Sequence, residues 1–155
     1  MSEVTFTVMR PLSLNRMYMR RRGGGKGLML TPEGRAFKDR IGSQAMYART
    51  IRHWPSNPWR VLKAELSYQL YDYRGDTDGP RKALRDACEQ ILYVRDNVVQ
   101  DGPAPLAIFD GNGSRVVVTV TLLEECSEIA ARLSQAKWEK ARDGRLRAKL
   151  KRGAA

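Results

Sequence analysis

One histidine, His53, stands among the 155 residues of the chain, in a predicted loop before Trp54 and Pro55. That scarcity excludes paired-histidine metal sites, the HExxH motif and histidine-containing zinc fingers. A metal held by this chain would be held by carboxylates, which suit Mg²⁺ or Mn²⁺ rather than zinc. Two cysteines, Cys88 and Cys126, are too few for a disulfide framework or a zinc cluster. Cys88 shares a predicted helix face with Leu84 and Ile91 and reads as a buried reduced thiol. No apolar run approaches the roughly 20 residues that span a bilayer, and no signal peptide opens the sequence, so a cytoplasmic protein without a membrane partner is expected. Acids are scarce too: 17 Asp and Glu against 28 Lys and Arg leave a net charge of +11. Such an excess favours a polyanionic partner, and nucleic acid fits better than a membrane surface.

A hydrophobic fraction of 42% argues against wholesale disorder, and the length suits one domain with a core of its own. Val4, Phe6 and Val8 alternate with Thr5 and Thr7, which predicts an opening strand. Thr31-Pro32-Glu33 reads as a helix start, with a hydroxyl cap, proline at the first position and an acid in the first turn, and the helix should run to about Arg52. Leu62, Ala64, Leu66, Tyr68 and Leu70 alternate with polar residues, predicting a long half-buried strand. A second helix is expected from Pro80 to about Leu92. Ala107–Phe109 and Val116–Leu122 flank the turn signal Asp110-Gly111-Asn112-Gly113 and predict a hairpin. From about Ser127 the chain reads as helical, and its end carries eight basic residues between Lys137 and Arg152 against the acids Glu139 and Asp143. The organisation expected is a domain over residues 1–125 followed by a basic helix or tail over 126–155.

The most informative stretch is Gly75-Asp76-Thr77-Asp78-Gly79-Pro80, followed by Lys82 and Asp86. At a strand end an i, i+2 pair would face one side, so Asp76 and Asp78 are candidates to converge on one divalent cation. Asp78, Lys82 and Asp86 recur at i, i+4 spacing along a helix face, and Asp96 supplies a further acid downstream. Mg²⁺ needs only one or two protein carboxylates beside phosphate oxygens and water, so this set suits metal-dependent phosphodiester chemistry, with Lys82 placed to meet developing charge. The same residues also fit a solvated turn and a surface helix. The stretch from Arg16 to Lys26 places Arg16, Arg20, Arg21, Arg22 and Lys26 around three glycines and Met17, Tyr18 and Met19. Cations with an aromatic side chain in a glycine-rich loop predict a flexible clamp on DNA phosphates and bases.

These motifs together resemble the RusA family of Holliday junction resolvases. Pro11-Leu12-Ser13-Leu14-Asn15-Arg16-Met17-Tyr18 is similar to the family's P-P-S-x-N-x-x-Y start, and Leu30-Thr31-Pro32-Glu33-Gly34 follows. Asp76-x-Asp78-x-x-x-Lys82-x-x-x-Asp86-Ala87 and Leu92-Tyr93-Val94-Arg95-Asp96-Asn97-Val98-Val99 complete it, in order, over residues 4 to about 122. The acid–lysine block is specific in this company and only suggestive alone. The resemblance implies a homodimeric, Mg²⁺-dependent endonuclease that resolves four-way DNA junctions by paired nicks in recombination and repair. It assigns metal binding to Asp76, Asp78 and Asp96, and catalysis to these and Lys82; beside it, Asp86 is expected in a supporting role, and Asn15 and Tyr18 are expected to contact DNA with the basic loop. The chain departs from the family where Arg95-Asp96-Asn97-Val98-Val99 stands for the usual D-D-x-Q-V. Asp96 then takes the metal-binding place, whereas a one-residue shift would put Asn97 there. The fold expected is α+β, a single domain with a mixed sheet and helices on one side. The rival readings are a non-catalytic binder of branched or single-stranded DNA and a basic RNA-binding protein.

Overall fold

A computed structural model describes residues 2–20 and 27–153 of the chain. In chain order the elements are β1 (Glu3–Met9), α1 (Leu14–Met17), β2 (Tyr18–Arg20), β3 (Leu28–Leu30), α2 (Pro32–Ile51), β4 (Val61–Tyr71), α3 (Arg81–Cys88), β5 (Val99–Asp101), β6 (Ala107–Ile108), β7 (Arg115–Glu125) and α4 (Glu128–Gly153). Single 3-10 turns precede β4 (Pro58–Arg60) and β5 (Asp96–Val98). The fold is α+β, and its main sheet is mixed. β7 lies between β1 and β4 and is antiparallel to both, while β5 and β6 run parallel to β4 along its far edge. β2 and β3 form a separate two-stranded ribbon.

Alternation sets the layers. Val4, Phe6 and Val8 of β1, Val116, Val118, Val120 and Leu122 of β7, and Ala64, Leu66, Tyr68 and Leu70 of β4 are buried on one face. They join Phe37, Ile41, Ala45 and Ala48 of α2 and Ala83, Leu84 and Cys88 of α3 in one core. The other face carries hydroxyls, with Thr5 and Thr119 Oγ1 atoms 3.2 Å apart across the strands. Cys88 is fully enclosed, and burial pushes its thiol up to about 12, as expected of an inert buried cysteine.

Three details differ from the sequence expectation. Leu62 is 46% exposed, because the β4–β7 register shifts on either side of Lys63 and the extra residue turns Leu62 off the core face. The hairpin expected of residues 107–122 does not form. β6 pairs with β4, and β4 separates it from β7. Its turn is held by Asp72, whose carboxylate accepts from the backbone N–H groups of Asp110, Gly111 and Gly113 at 2.9–3.1 Å. Finally, α3 stops at Cys88 rather than near Leu92. Glu89 is extended and Gln90 takes a positive φ of 65°, which returns the chain so that Leu92 and Tyr93 are buried.

The start of α2 fixes the segment before it. Thr31 Oγ1 accepts from Gly34 N at 2.9 Å and donates to the Arg16 carbonyl at 2.7 Å, while Thr31 N donates to the Met17 carbonyl at 2.8 Å. A methyl group on Gly34 would lie 2.5 Å from the Met17 carbonyl oxygen and 3.1 Å from Met17 Cα, both backbone atoms. Gly34→Ala should therefore destabilise the fold by about 1–3 kcal/mol, although alanine is otherwise the better helix former by about 1 kcal/mol. Denaturant unfolding measures it. Stability equal to or above wild type would mean that α1 does not press on α2.

Candidate functional site

The acid turn is built from backbone bonds. Gly79 N donates to the Asp76 carbonyl at 3.0 Å and Arg81 N to the Asp78 carbonyl at 3.1 Å, and Pro80, in helical conformation, leads into α3. The Tyr68 hydroxyl donates to the Thr77 carbonyl at 2.7 Å, tying the turn to β4. Because β4 ends at Tyr71, strand pleating does not reach Asp76 and Asp78. Asp76 instead bends back, its Oδ1 accepting from Asp78 N at 3.1 Å in an Asx turn. The pleat argument for a shared face is thereby corrected: Asp76 Oδ1 is turned onto the backbone of Asp78, while the Asp78 carboxylate faces Arg81.

α3 presents the rest. Lys82 Nζ lies 3.4 Å from Asp86 Oδ2, the expected i, i+4 pair, and Lys38 Nζ of α2 reaches the same oxygen at 3.3 Å. Asp78 pairs with Arg81 at 2.8 Å. Arg85 reaches across to the next segment. Its guanidinium donates to the carbonyls of Asp96 at 2.6 Å and Val99 at 2.8 Å and pairs with Asp101 at 3.2 Å. Arg85 thus holds the backbone that presents Asp96, and its Nε is buried without a partner among the described residues. Asp78, Arg81, Lys82, Arg85, Asp86 and Asp96 line one open cavity of about 300 Å³.

The structure therefore gathers Asp78, Lys82, Asp86 and Asp96 and leaves Asp76 on the adjoining turn. Among the described residues no three His, Cys, Asp or Glu side chains converge as they stand on one metal position. The donor chemistry nonetheless fits a hard cation: three carboxylates share an open cavity with a lysine, and Asp78 would have to exchange Arg81 for the ion. One further acid, Glu89, escaped the sequence reading. The Glu89 carboxyl is held above the usual carboxylate range by burial and by the nearby charges of Asp96 and Asp86. Its only sequence signal is a place three residues beyond Asp86.

The expected nucleic-acid contacts divide. Arg16 pairs with Glu33 at 2.9 Å and lines a separate cavity with Arg10 and Arg40. Asn15 and Tyr18 flank Lys82 in another cavity. Arg20 ends β2, opposite Leu28. Arg21, Arg22 and Lys26 lie outside the described residues. Next to Asp96 in the chain, the Arg95 guanidinium sits 5.7 Å from the Trp138 ring centre, Arg142 approaches that ring at 5.1 Å, and Trp59 packs against it at 5.8 Å. This stack joins α4 to the segment bearing Asp96, a link sequence reasoning did not anticipate. A scan against protein-family models gave no match to the chain, and no curated protein sequence matches it.

Proposed function

We propose that this chain is an Mg²⁺-dependent endodeoxyribonuclease for branched DNA, four-way junctions above all, working as a homodimer in the manner of the RusA family it resembles. The observation that carries the reading is the grouping of Asp78, Asp86 and Asp96 with Lys82 around one open cavity in a protein of net charge +11. Asp78 and Asp96 would hold the ion, with Asp76 joining once its bond to Asp78 N opens. When bound, such an ion lowers the pKa of an attacking water and offsets charge on the phosphate. The protein's own residues do the rest. Lys82 donates to a phosphate oxygen as charge develops on it, and Asp86 holds that ammonium in place. Arg85 keeps the Asp96 segment registered against α3, and Arg81, released from Asp78, becomes a phosphate contact. A four-way junction has two-fold symmetry, so a two-fold dimer offers one site per cut strand.

A second reading is a binder of branched or single-stranded DNA that does not cut, favoured by the Asp78–Arg81 pair and by the engagement of Asp76 Oδ1 with Asp78 N. Incubating purified protein with a synthetic four-way junction, with and without Mg²⁺, tests the proposal. Paired nicks that require the metal are expected. Binding without cutting in Mg²⁺ or Mn²⁺ would establish the second reading, and preference for RNA over junction DNA would overturn both.

A further inference from the structure

Leu14, Asn15, Tyr18, Leu28 and Lys82 line an open cavity of about 520 Å³ between α1, the β2–β3 ribbon and α3. Its size falls within the roughly 300–1,000 Å³ of small-molecule sites. Lys82 is the residue it shares with the acid cavity. The walls are chiefly apolar, and Leu14 and Leu28 remain 41% and 64% exposed, so large apolar side chains stand in water around a concave space. Among the described residues the polar groups are few: the Asn15 amide, the Tyr18 hydroxyl and the Lys82 ammonium. Tyr18 pairs with Leu30 and Arg20 with Leu28, so Tyr18, Arg20, Leu28 and Leu30 share one face of the ribbon. Among the described residues the lining holds a cation and no carboxylate. The wall bearing Asn15 and Tyr18 is fixed by the Thr31 and Gly34 contacts to Arg16 and Met17.

We propose that this cavity seats a single unpaired nucleobase. A planar apolar body, a hydrogen-bonding edge and an adjacent negative charge match the walls, the Asn15 amide and Lys82 respectively. Tyr18 and Leu28 pack against the faces of the base, Asn15 meets its polar edge, and Lys82 takes the flanking phosphate. Because Lys82 borders both cavities, seating the base carries its phosphate to the rim of the acid cavity. Duplex DNA keeps its bases stacked and cannot fill the space, so DNA with an unpaired nucleotide at a branch or bulge is selected over a continuous helix. The inference rests on the nucleic-acid reading above but requires neither metal nor cutting.

The test is binding in EDTA, where metal-dependent cutting is absent. The probes are a duplex bearing one bulged 2-aminopurine and the same duplex fully paired. Wild type should prefer the bulged form by about 5- to 150-fold, the range that base–aromatic stacking spans, with a change in 2-aminopurine emission. Tyr18→Ala should lose that preference, read as the ratio of the two affinities, while Tyr18→Phe should retain it. Asn15→Ala, on an exposed side chain, gives an independent reduction if Tyr18→Ala folds poorly. Equal affinity of wild type for the two duplexes, or an unchanged preference in Tyr18→Ala, overturns the inference. Bulge preference without cutting in Mg²⁺ would fail the nuclease reading alone. Cutting without bulge preference would fail this one alone.

Discussion

Asp78→Asn and Asp96→Asn should each reduce Mg²⁺-dependent junction cutting by more than about 100-fold, a loss at or beyond the upper end of that seen on removing a supporting residue from a metal site. Junction binding should remain at wild-type strength or tighten, because each change removes a negative charge that repels phosphate. Asp76→Asn should behave alike, and it is the most discriminating of the three. Its amide oxygen can still accept from Asp78 N, so the Asx turn survives while the charge is lost. Gel assays of cutting and of binding, run on the same preparations, separate the two effects. Near-wild-type cutting by any two of these variants would overturn the metal-site assignment. Asn97→Ala should be mild, and a larger loss there than in Asp96→Asn would favour the shifted alignment.

Lys82→Ala should slow cutting by about 10²–10³-fold, the cost of losing one donor to charge that develops in the transition state. Its effect on junction affinity should be much smaller, since one exposed lysine adds a single phosphate contact. Lys38 still reaches Asp86 in the variant, so the helix face is not left with an unpaired carboxylate. Arginine should substitute poorly, because a planar fork differs in reach and geometry from a compact ammonium. Single-turnover rates and equilibrium affinity decide the matter. If both fell by the same factor, Lys82 would be an ordinary phosphate contact.

Local chemistry made much of the fold legible. The alternation of Val4, Phe6 and Val8, the Thr31-Pro32-Glu33 start of α2 and the even spacing of Ala64, Leu66, Tyr68 and Leu70 are short-range signals, and the structure follows them. Errors arose where distant backbone intervened. The pairing of β6 depends on Asp72 gripping a turn far along the chain, and the reversal at Gln90 depends on burying Tyr93, whose hydroxyl donates to the Arg85 carbonyl at 2.7 Å. At the candidate site, Lys82 and Asp86 were readable because helical spacing pairs them, and Asp78 because it stands in the turn that opens α3. Arg85 was not, since its partners on Asp96 and Val99 meet it only after β5 has docked beside β4. Glu89 was hidden likewise, its proximity to Asp96 being a product of tertiary folding.

The long terminal helix also bears on how a partner first arrives. α4 has 26 residues and so extends about 39 Å. It is gripped near its root, where Asn57 meets Glu128 at 3.1 Å, Ala131 is buried and Trp138 stacks on Trp59. From Glu139 through Leu150 every residue is exposed. Screening limits the reach of a surface charge to about 8 Å at physiological ionic strength, so cations along the rod act as a series of separate capture points. On the nucleic-acid reading proposed above, a polyanion drifting past would meet a target far wider than the acid cavity. The speed of first encounter and its sensitivity to salt would then belong to the rod, and the fit of what has been caught to the sheet domain.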